Sequence, residues 1–423
     1  MINEQSLRAV AAARRPDGFV QPLYDSYCFA RIPATVRRLL GVGEEPGLPP
    51  DVLGPLDERY DCVVFLFIDS FGWRFFERFG DMPFIRRVLA EGVVSQTTPQ
   101  FPSTTAAHVT TIHTGLPLGA SGVFEWFYYE PLLDAMIAPL LFSFAGDRGR
   151  NTLRPTGIAP EQLYPQTTLY QQLAAHGVRS VLFQHRDYAH SPFSRVVCAG
   201  SETVAYGTLA EALVNLADAI RRRTGRAYFF FYYEGIDANA HRYGPDSPQV
   251  AAEIDLFLTA IERVFLRRLA GNRARALVLL SADHGHAAIK PATTIYLNQA
   301  VPEIAAYLRR SRDGAPLVPA GSSRDFFLYI ADGRLDEAQG LLRERLAGRA
   351  AVEQVRDLLA QGLFGPGPYA PAFLARVGDL VILPHPGEAV WWYEHDRFEQ
   401  TFYGMHGGLS PDEMETPLLA WVV

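Results

Sequence analysis

Six side chains in this sequence carry metal-donor atoms where chemistry would collect: Asp69, Asp237, His241, Asp283, His284 and His406. Asp237 and His241 stand four apart in YFFFYYEGIDANAHRYGPDS, residues 228–247. On a helical turn that spacing puts both side chains on one face, within reach of one ion. Asp283 and His284 are adjacent in ALVLLSADHGH, and Asp69 ends the apolar run of VVFLFIDSFGW. Taken singly these residues are ordinary, since Asp is a common turn former and His406 in a glycine-rich loop reads as solvated. Together, three carboxylates and three imidazoles suit two divalent ions, each with three or four ligands and an open position. The nitrogen share favours zinc over magnesium, which prefers all-oxygen octahedral sites.

A site of that kind needs a nucleophile. QFPSTTAAHVTTIHTGLP, residues 100–117, offers Ser103, Thr104 and Thr105 just before a short helical pattern that ends at Gly115. Pro102 biases the residue before it toward extended backbone, and all three hydroxyls are N-cap candidates. The plain reading is a capped helix. The chemical one places a hydroxyl among free backbone N–H groups at a helix N-terminus, where an anion such as a phosphoryl group is stabilised. His108 and His113 fall on the same helix and read as packing residues. His286, two beyond His284, is a candidate to line the pocket or donate to an anion.

These groups need a frame. Four apolar runs read as buried strands: CVVFLFI (62–68), SVLFQ (180–184), AYFFFYY (227–233) and ALVLLSA (276–282). Amphipathic stretches such as 207–223 and 250–269 alternate with them. Strands apolar throughout, alternating with helices, predict an α/β fold with a mostly parallel central sheet covered on both faces. In such sheets chemistry sits beyond the carboxyl ends of the strands, and Asp69, Asp237 and Asp283 all follow such ends. From about residue 291 to 395 the texture changes to strand, turn and helix signals punctuated by Pro and Gly, as in GLFGPGPYAPA. The expected organisation is an N-terminal segment (1–59) packing on the core, a core of 60–290 and 396–423, and an inserted α+β cap of 291–395.

The totals narrow the class. With 423 residues, 48% hydrophobic and 20% charged, the chain has an ordinary globular composition. A net charge of −7 argues against a broad surface for a nucleic-acid polymer. Three scattered cysteines, Cys28, Cys62 and Cys198, fit a reducing compartment. The first residues lack an apolar signal-peptide stretch and no run approaches membrane-spanning length, so a soluble cytoplasmic protein is expected.

The ordered set FIDSFGW, PSTTAAHVTTIHTGLP, GIDANAHRYGP, ADHGH and GMHGG resembles the alkaline phosphatase superfamily, and within it the type I phosphodiesterase/nucleotide pyrophosphatase family. The resemblance spans roughly 60–290 and 400–423. It implies an alkaline-phosphatase-like fold and two zinc ions. Asp237, His241 and His406 would hold one ion; Asp69, Asp283 and His284, with the nucleophile, would hold the other. In the family the nucleophile stands nine residues before the Thr of a Thr-Gly pair, here Thr114-Gly115, which selects Thr105 with Thr104 as the fallback. The implied reaction is hydrolysis of a small phosphorylated, nucleotide-like or diester substrate through a phospho-threonine intermediate.

Two departures stand out. Where the family shows His-Gly the chain has Ser121-Gly122, and near the expected Asn it has Glu125-Trp126. Glu125, Trp126 and His286 are therefore the candidate substrate-binding residues. The aromatics Phe124, Trp126, Phe127, Tyr128 and Tyr129 suit a stacked flat group or the core. The alternatives are a phosphomonoesterase or phosphonate hydrolase on the same metals, and, in another class, an inactive metal- or partner-binding module.

Overall fold

The computed structural model describes residues 1–271 and 275–423. Seven strands build the main sheet: β1 (Cys62–Ile68), β2 (Val93–Thr97), β3 (Arg179–His185), β4 (Glu202–Tyr206), β5 (Ala227–Tyr233), β6 (Leu277–Ser281) and β7 (Thr416–Val422), in the order β2-β7-β6-β1-β5-β3-β4. From β6 through β4 every pairing is parallel. β7 is antiparallel to both of its neighbours.

Alternate residues of β1 feed opposite cores. Val63, Phe65 and Phe67 join one cluster with Phe29, Ile112 and Phe230, while Val64, Leu66 and Ile68 join another with Phe75, Leu216 and Phe257. Helices cover both faces, which is why the central strands are apolar at every position. The N-terminal segment belongs to the first of these cores. Its start extends the sheet edge, with Asn3 N–H donating to Val94 O at 2.8 Å. Its Phe29 ring packs on Phe65 and Phe67.

A second, four-stranded sheet lies inside 291–395, built from Ala320–Ser322, Asp325–Leu328, Leu380–Pro384 and Ala350–Gln354. The helix Leu335–Arg345 packs on it through Ala338 and Leu342. The aromatic stretch after Gly122 is divided between environments. Phe124 packs against Phe327 and Phe373, Phe127 against Trp391 and Phe398, and Trp126 is left facing an open cleft. A buried ion pair, Arg376–Glu130 at 2.7 Å, ties this stretch to residues of the smaller sheet's region. No helix among the described residues is long and apolar enough to cross a membrane.

Candidate metal centre

Register explains why distant carboxylates meet. Phe67 of β1 pairs with Ser281 of β6. Two residues further along each strand, Asp69 and Asp283 therefore emerge side by side. Ile68 pairs with Tyr233 of β5, and the helix Gly235–Tyr243 starts at once, placing Asp237 in its first turn and His241 one turn later. The chain kinks hard after Asp69. Ser70 takes a left-handed conformation, φ 66°, which costs a non-glycine residue of order 1 kcal/mol. In return its N–H donates to Asp283 Oδ1 at 3.1 Å and its hydroxyl meets His286 Nδ1 at 2.8 Å. Gly407 sits at φ 123°, where an added Cβ would run into Asp325 and Ser322, so the loop carrying His406 is fixed tightly against the smaller sheet.

The histidines are oriented by the backbone. The Nδ1–H of His241 donates to Gly404 O at 2.9 Å, that of His284 to Gly285 O at 2.9 Å, and that of His406 to Ser103 O at 3.0 Å. Each ring is thereby held with Nε2 unprotonated and facing the carboxylates, the arrangement typical of metal-bound imidazole. His284 Nε2 lies 3.3 Å from Asp283 Oδ2 and 3.5 Å from Asp69 Oδ1. Asp237 faces His241 at 3.4 Å, His286 at 3.5 Å and His406 at 3.7 Å.

Three donor groups are compact enough to share an ion: Asp69, Asp283 and His284; Asp237, His241 and His286; and Asp237, His284 and His406. The first coincides with one expected ligand set. The other set is gathered around Asp237, but His241 and His406 fall in different groups there, and His286 enters as a further donor. His286 was expected to face the substrate. It is instead fully buried behind Asp237, bonded to Ser70, and lines neither cleft described below.

Without a cation the cluster is electrostatically unfavourable, and this is the test of fit. Asp69 Oδ1, Asp237 Oδ1 and Asp283 Oδ2 are buried with no hydrogen-bond partner. Burial, then the neighbouring carboxylates, hold Asp69 well above the usual range. Burial and then Glu234 raise Asp237 to about 8, and burial raises Asp283 to about 7. Burial lowers His241 to about 4 and depresses His284 and His406 strongly. Every group resists its charged form, and a divalent ion among them reverses that penalty for the carboxylates. The residues fit metal ions.

Thr105 opens the helix Thr105–Thr114, whose C-cap Gly115 has φ 78°. Its Oγ1 lies 3.2 Å from His284 Nε2, at the edge of the Asp69–Asp283–His284 group. Thr104 points elsewhere. Its hydroxyl is buried, makes no cap and faces the Glu125 carboxyl. The turn is clamped by His108, whose Nδ1–H donates to Thr104 O at 2.7 Å while Nε2 accepts from Gln100 N–H at 2.8 Å. His113 is likewise held by Tyr170, at 2.5 Å.

Two clefts meet at Thr105. One, about 210 Å³, runs past Val109, Leu140, Phe193 and Tyr188; the other, about 410 Å³, runs past Glu125, Ser322, Trp391 and Phe402. Thr105, Trp126 and Asp237 line both. Glu125 is buried against Asp325 and Thr104, and burial followed by repulsion from Asp325 raises its pKa well above the usual range. Asp325 is raised to about 8, chiefly by burial.

Acids raised in the folded state stabilise it below their unfolded pKa, near 4, and lose that contribution as pH climbs toward about 8. Glu125→Gln is therefore expected to raise stability at pH 8 by roughly 1–3 kcal/mol and to leave it little changed at pH 5. Denaturant unfolding of metal-saturated protein at both pH values checks this, and parallel pH profiles for variant and wild type would refute it.

A support the sequence did not reveal is the Arg324–Glu413 pair, 2.9 Å apart with both side chains 0% exposed. Glu413 also accepts from Gly408 N–H at 3.0 Å and from the Ser410 hydroxyl, fixing the loop just past His406. The Ser410-to-Glu413 capping-box spacing was visible in the sequence, but its partner Arg324 was not. Glu413→Ala should cost about 3–5 kcal/mol by leaving a buried guanidinium unpaired, measured by denaturant unfolding. A loss near zero would show that the pair is not needed.

Residues 63–409 match the family described as type I phosphodiesterase / nucleotide pyrophosphatase. Among solved structures, murine ectonucleotide pyrophosphatase / phosphodiesterase 5, an inactive threonine-to-alanine variant in complex with AMP, aligns with a TM-score of 0.63. Identity is 18%, covering 85% of this chain and 87% of that one. The human counterpart gives the same TM-score, 0.63, at 17% identity, with 85% and 87% covered. Phosphonoacetate hydrolase from Sinorhizobium meliloti, in complex with phosphonoacetate, gives 0.61 at 17% identity, with 85% and 89% covered. At these identities the likeness is one of fold. A stretch of 77 residues is 36% identical to DNA polymerase IV of Opitutus terrae, covering 17% of this chain. The chain spans about a fifth of that curated relative (19%), and no activity follows from so short a match.

Proposed function

We propose, on the premise that this chain belongs to the type I phosphodiesterase/nucleotide pyrophosphatase family, that it hydrolyses phosphodiesters at a pair of zinc ions with Thr105 as the nucleophile. The observation that carries this reading is the position of Thr105, against the Asp69–Asp283–His284 group and at the junction of two clefts. A diester has two substituents on phosphorus, and two clefts meeting at the attacking oxygen give each its own space. A monoester would fill only one.

Asp69, Asp283, His284 and Thr105 would hold one ion, and Asp237, His241 and His406, with His286 close by, the other. When bound, such ions neutralise charge on phosphoryl oxygens and lower the pKa of a bound hydroxyl. The chain's own part is positional. The free N–H groups of Ala106 and Ala107, in the first turn of the helix, face the anion. Thr105 Oγ1 attacks phosphorus, one ester oxygen leaves, and water then cleaves the phospho-threonine. Trp126 walls both clefts, and Glu125 stands in the second. The inactive threonine-to-alanine variant described for the murine neighbour supports a threonine in this role. A cytoplasmic setting belongs to the same reading, supported by three buried free cysteines.

Two measurements test it together. Protein purified without chelators should carry about two divalent ions per chain and should turn over bis(nitrophenyl) phosphate faster than nitrophenyl phosphate. Metal content near zero after zinc is added back would defeat the metal assignment. A reversed substrate order would favour the phosphomonoesterase reading.

A further inference from the structure

Beyond the reactive centre, the first cleft adjoins a smaller surface pocket of about 180 Å³ that is strongly basic. It is lined by Arg150, Arg154, Arg186 and His190, and Asp187 is its one carboxylate. The two spaces adjoin, since Leu141, Arg150 and Ser191 line both. The arginines come from separate pieces of chain. Arg150 follows the short strand Ser143–Phe144, Arg154 opens a single helical turn, and Arg186 leaves the carboxyl end of β3, on the rim where the metal ligands also gather.

Among the described residues none of the three guanidinium groups is engaged in an ion pair or side-chain hydrogen bond, whereas Asp187 leans toward His185 at 3.6 Å. In a chain of net charge −7, three unengaged guanidinium groups around one small pocket are a local reversal of sign. All three are solvent-exposed, so water screens their mutual repulsion and the patch is free to receive an anion.

The route from Thr105 to this pocket is largely apolar, past Val109, Leu140, Leu141 and Phe193. We propose that the substrate arm occupying the first cleft ends in a second phosphoryl or phosphonyl group, received by Arg150, Arg154 and Arg186. Guanidinium groups carried on three separate segments around one space suit a tetrahedral phosphoryl group better than a flat carboxylate. The substrate class is then a phosphoric ester whose arm carries a distal phosphate across an apolar spacer. This inference rests on the functional reading above, because it takes the reacting phosphoryl group to sit at Thr105. Arg154 and Arg186 are specificity-determining residues; neither lines the cleft at the reacting atoms.

The test uses zinc-loaded Thr105→Ala protein, to prevent turnover, and calorimetric titration with two matched series. One is alkyl monophosphates, and the other is alkane diol bisphosphates of increasing chain length. At one chain length the bisphosphate should bind about tenfold more tightly than its monophosphate partner. That advantage should shrink as salt rises, because exposed charges are screened. Adding Arg154→Glu and Arg186→Glu should abolish the advantage while the affinity for the monophosphates stays within about twofold.

Equal affinities at every chain length, or an advantage that survives charge reversal, would overturn the inference and leave the functional reading standing. Binding of neither series would overturn both.

Discussion

Thr105→Ala is expected to cost at least about a thousandfold in turnover because it deletes the attacking atom, while Asp69, Asp283 and His284 remain as three donors and keep that metal position filled. Thr105 is buried but borders both clefts at the first position of its helix, so the loss of its hydroxyl and methyl enlarges the clefts and opens no closed cavity. Thr105→Ser should keep measurable activity, since a primary hydroxyl reaches the same place. The adjacent position supplies the control. Thr104 Oγ1 makes no cap and faces the Glu125 carboxyl, so Thr104→Val keeps the shape and should change stability by no more than about 1 kcal/mol with turnover nearly intact. Steady-state kinetics with elemental analysis distinguishes these outcomes. A large loss at 104 with little at 105 would move the nucleophile by one residue.

The second large effect concerns the ligands. Asp283→Ala and His241→Ala should each lower turnover more than about a hundredfold, beyond the usual effect of disturbing a ligand's supporting hydrogen bond. Each should also reduce metal content from about two ions toward about one. They act at different ends of the site, Asp283 beside Asp69 and His241 beside Asp237. Excess zinc should therefore rescue one variant at a different concentration from the other. The sheet does not depend on these rim residues, so far-ultraviolet circular dichroism should be unchanged. Full turnover by either variant at limiting metal would remove that residue from the ligand set.

The sequence exposed the fold's centre because burial on both faces makes a strand apolar at every position. CVVFLFI and AYFFFYY coincide with β1 and β5 to the residue. β4, with the sequence ETVAY, was passed over because it is an edge strand, exposed at Glu202 and Ala205, and carries no continuous apolar run. β2, VVSQT, is fully buried, but its polar residues are satisfied by neighbours distant in sequence. Thr97, for example, bonds Thr416 across the sheet at 2.9 Å.

The site was legible for a different reason: parallel register delivers strand ends to one rim, so the type of residue following each run already marked Asp69, Asp237 and Asp283. Local spacing does not encode the partners that arrive from the smaller sheet. Arg324 reaching Glu413, and Asp325 facing Glu125, join residues about 90 and 200 positions apart in the chain. The burial of His286 beside Asp237 was not legible either. Its neighbourhood in ADHGH pointed toward the pocket, whereas the kink at Ser70 draws it behind Asp237.

The account's central claim is that phosphoryl transfer passes through Thr105, and mapping the trapped phospho-enzyme tests it most directly. Zinc-loaded protein mixed with a slowly cleaved nitrophenyl diester, quenched in acid and digested, should yield the peptide spanning Pro102 to Gly115 with one added substrate-derived phosphoryl group. Fragmentation should place that group on Thr105. The group found on Thr104, or no modified peptide from protein that is visibly turning over, would contradict the account.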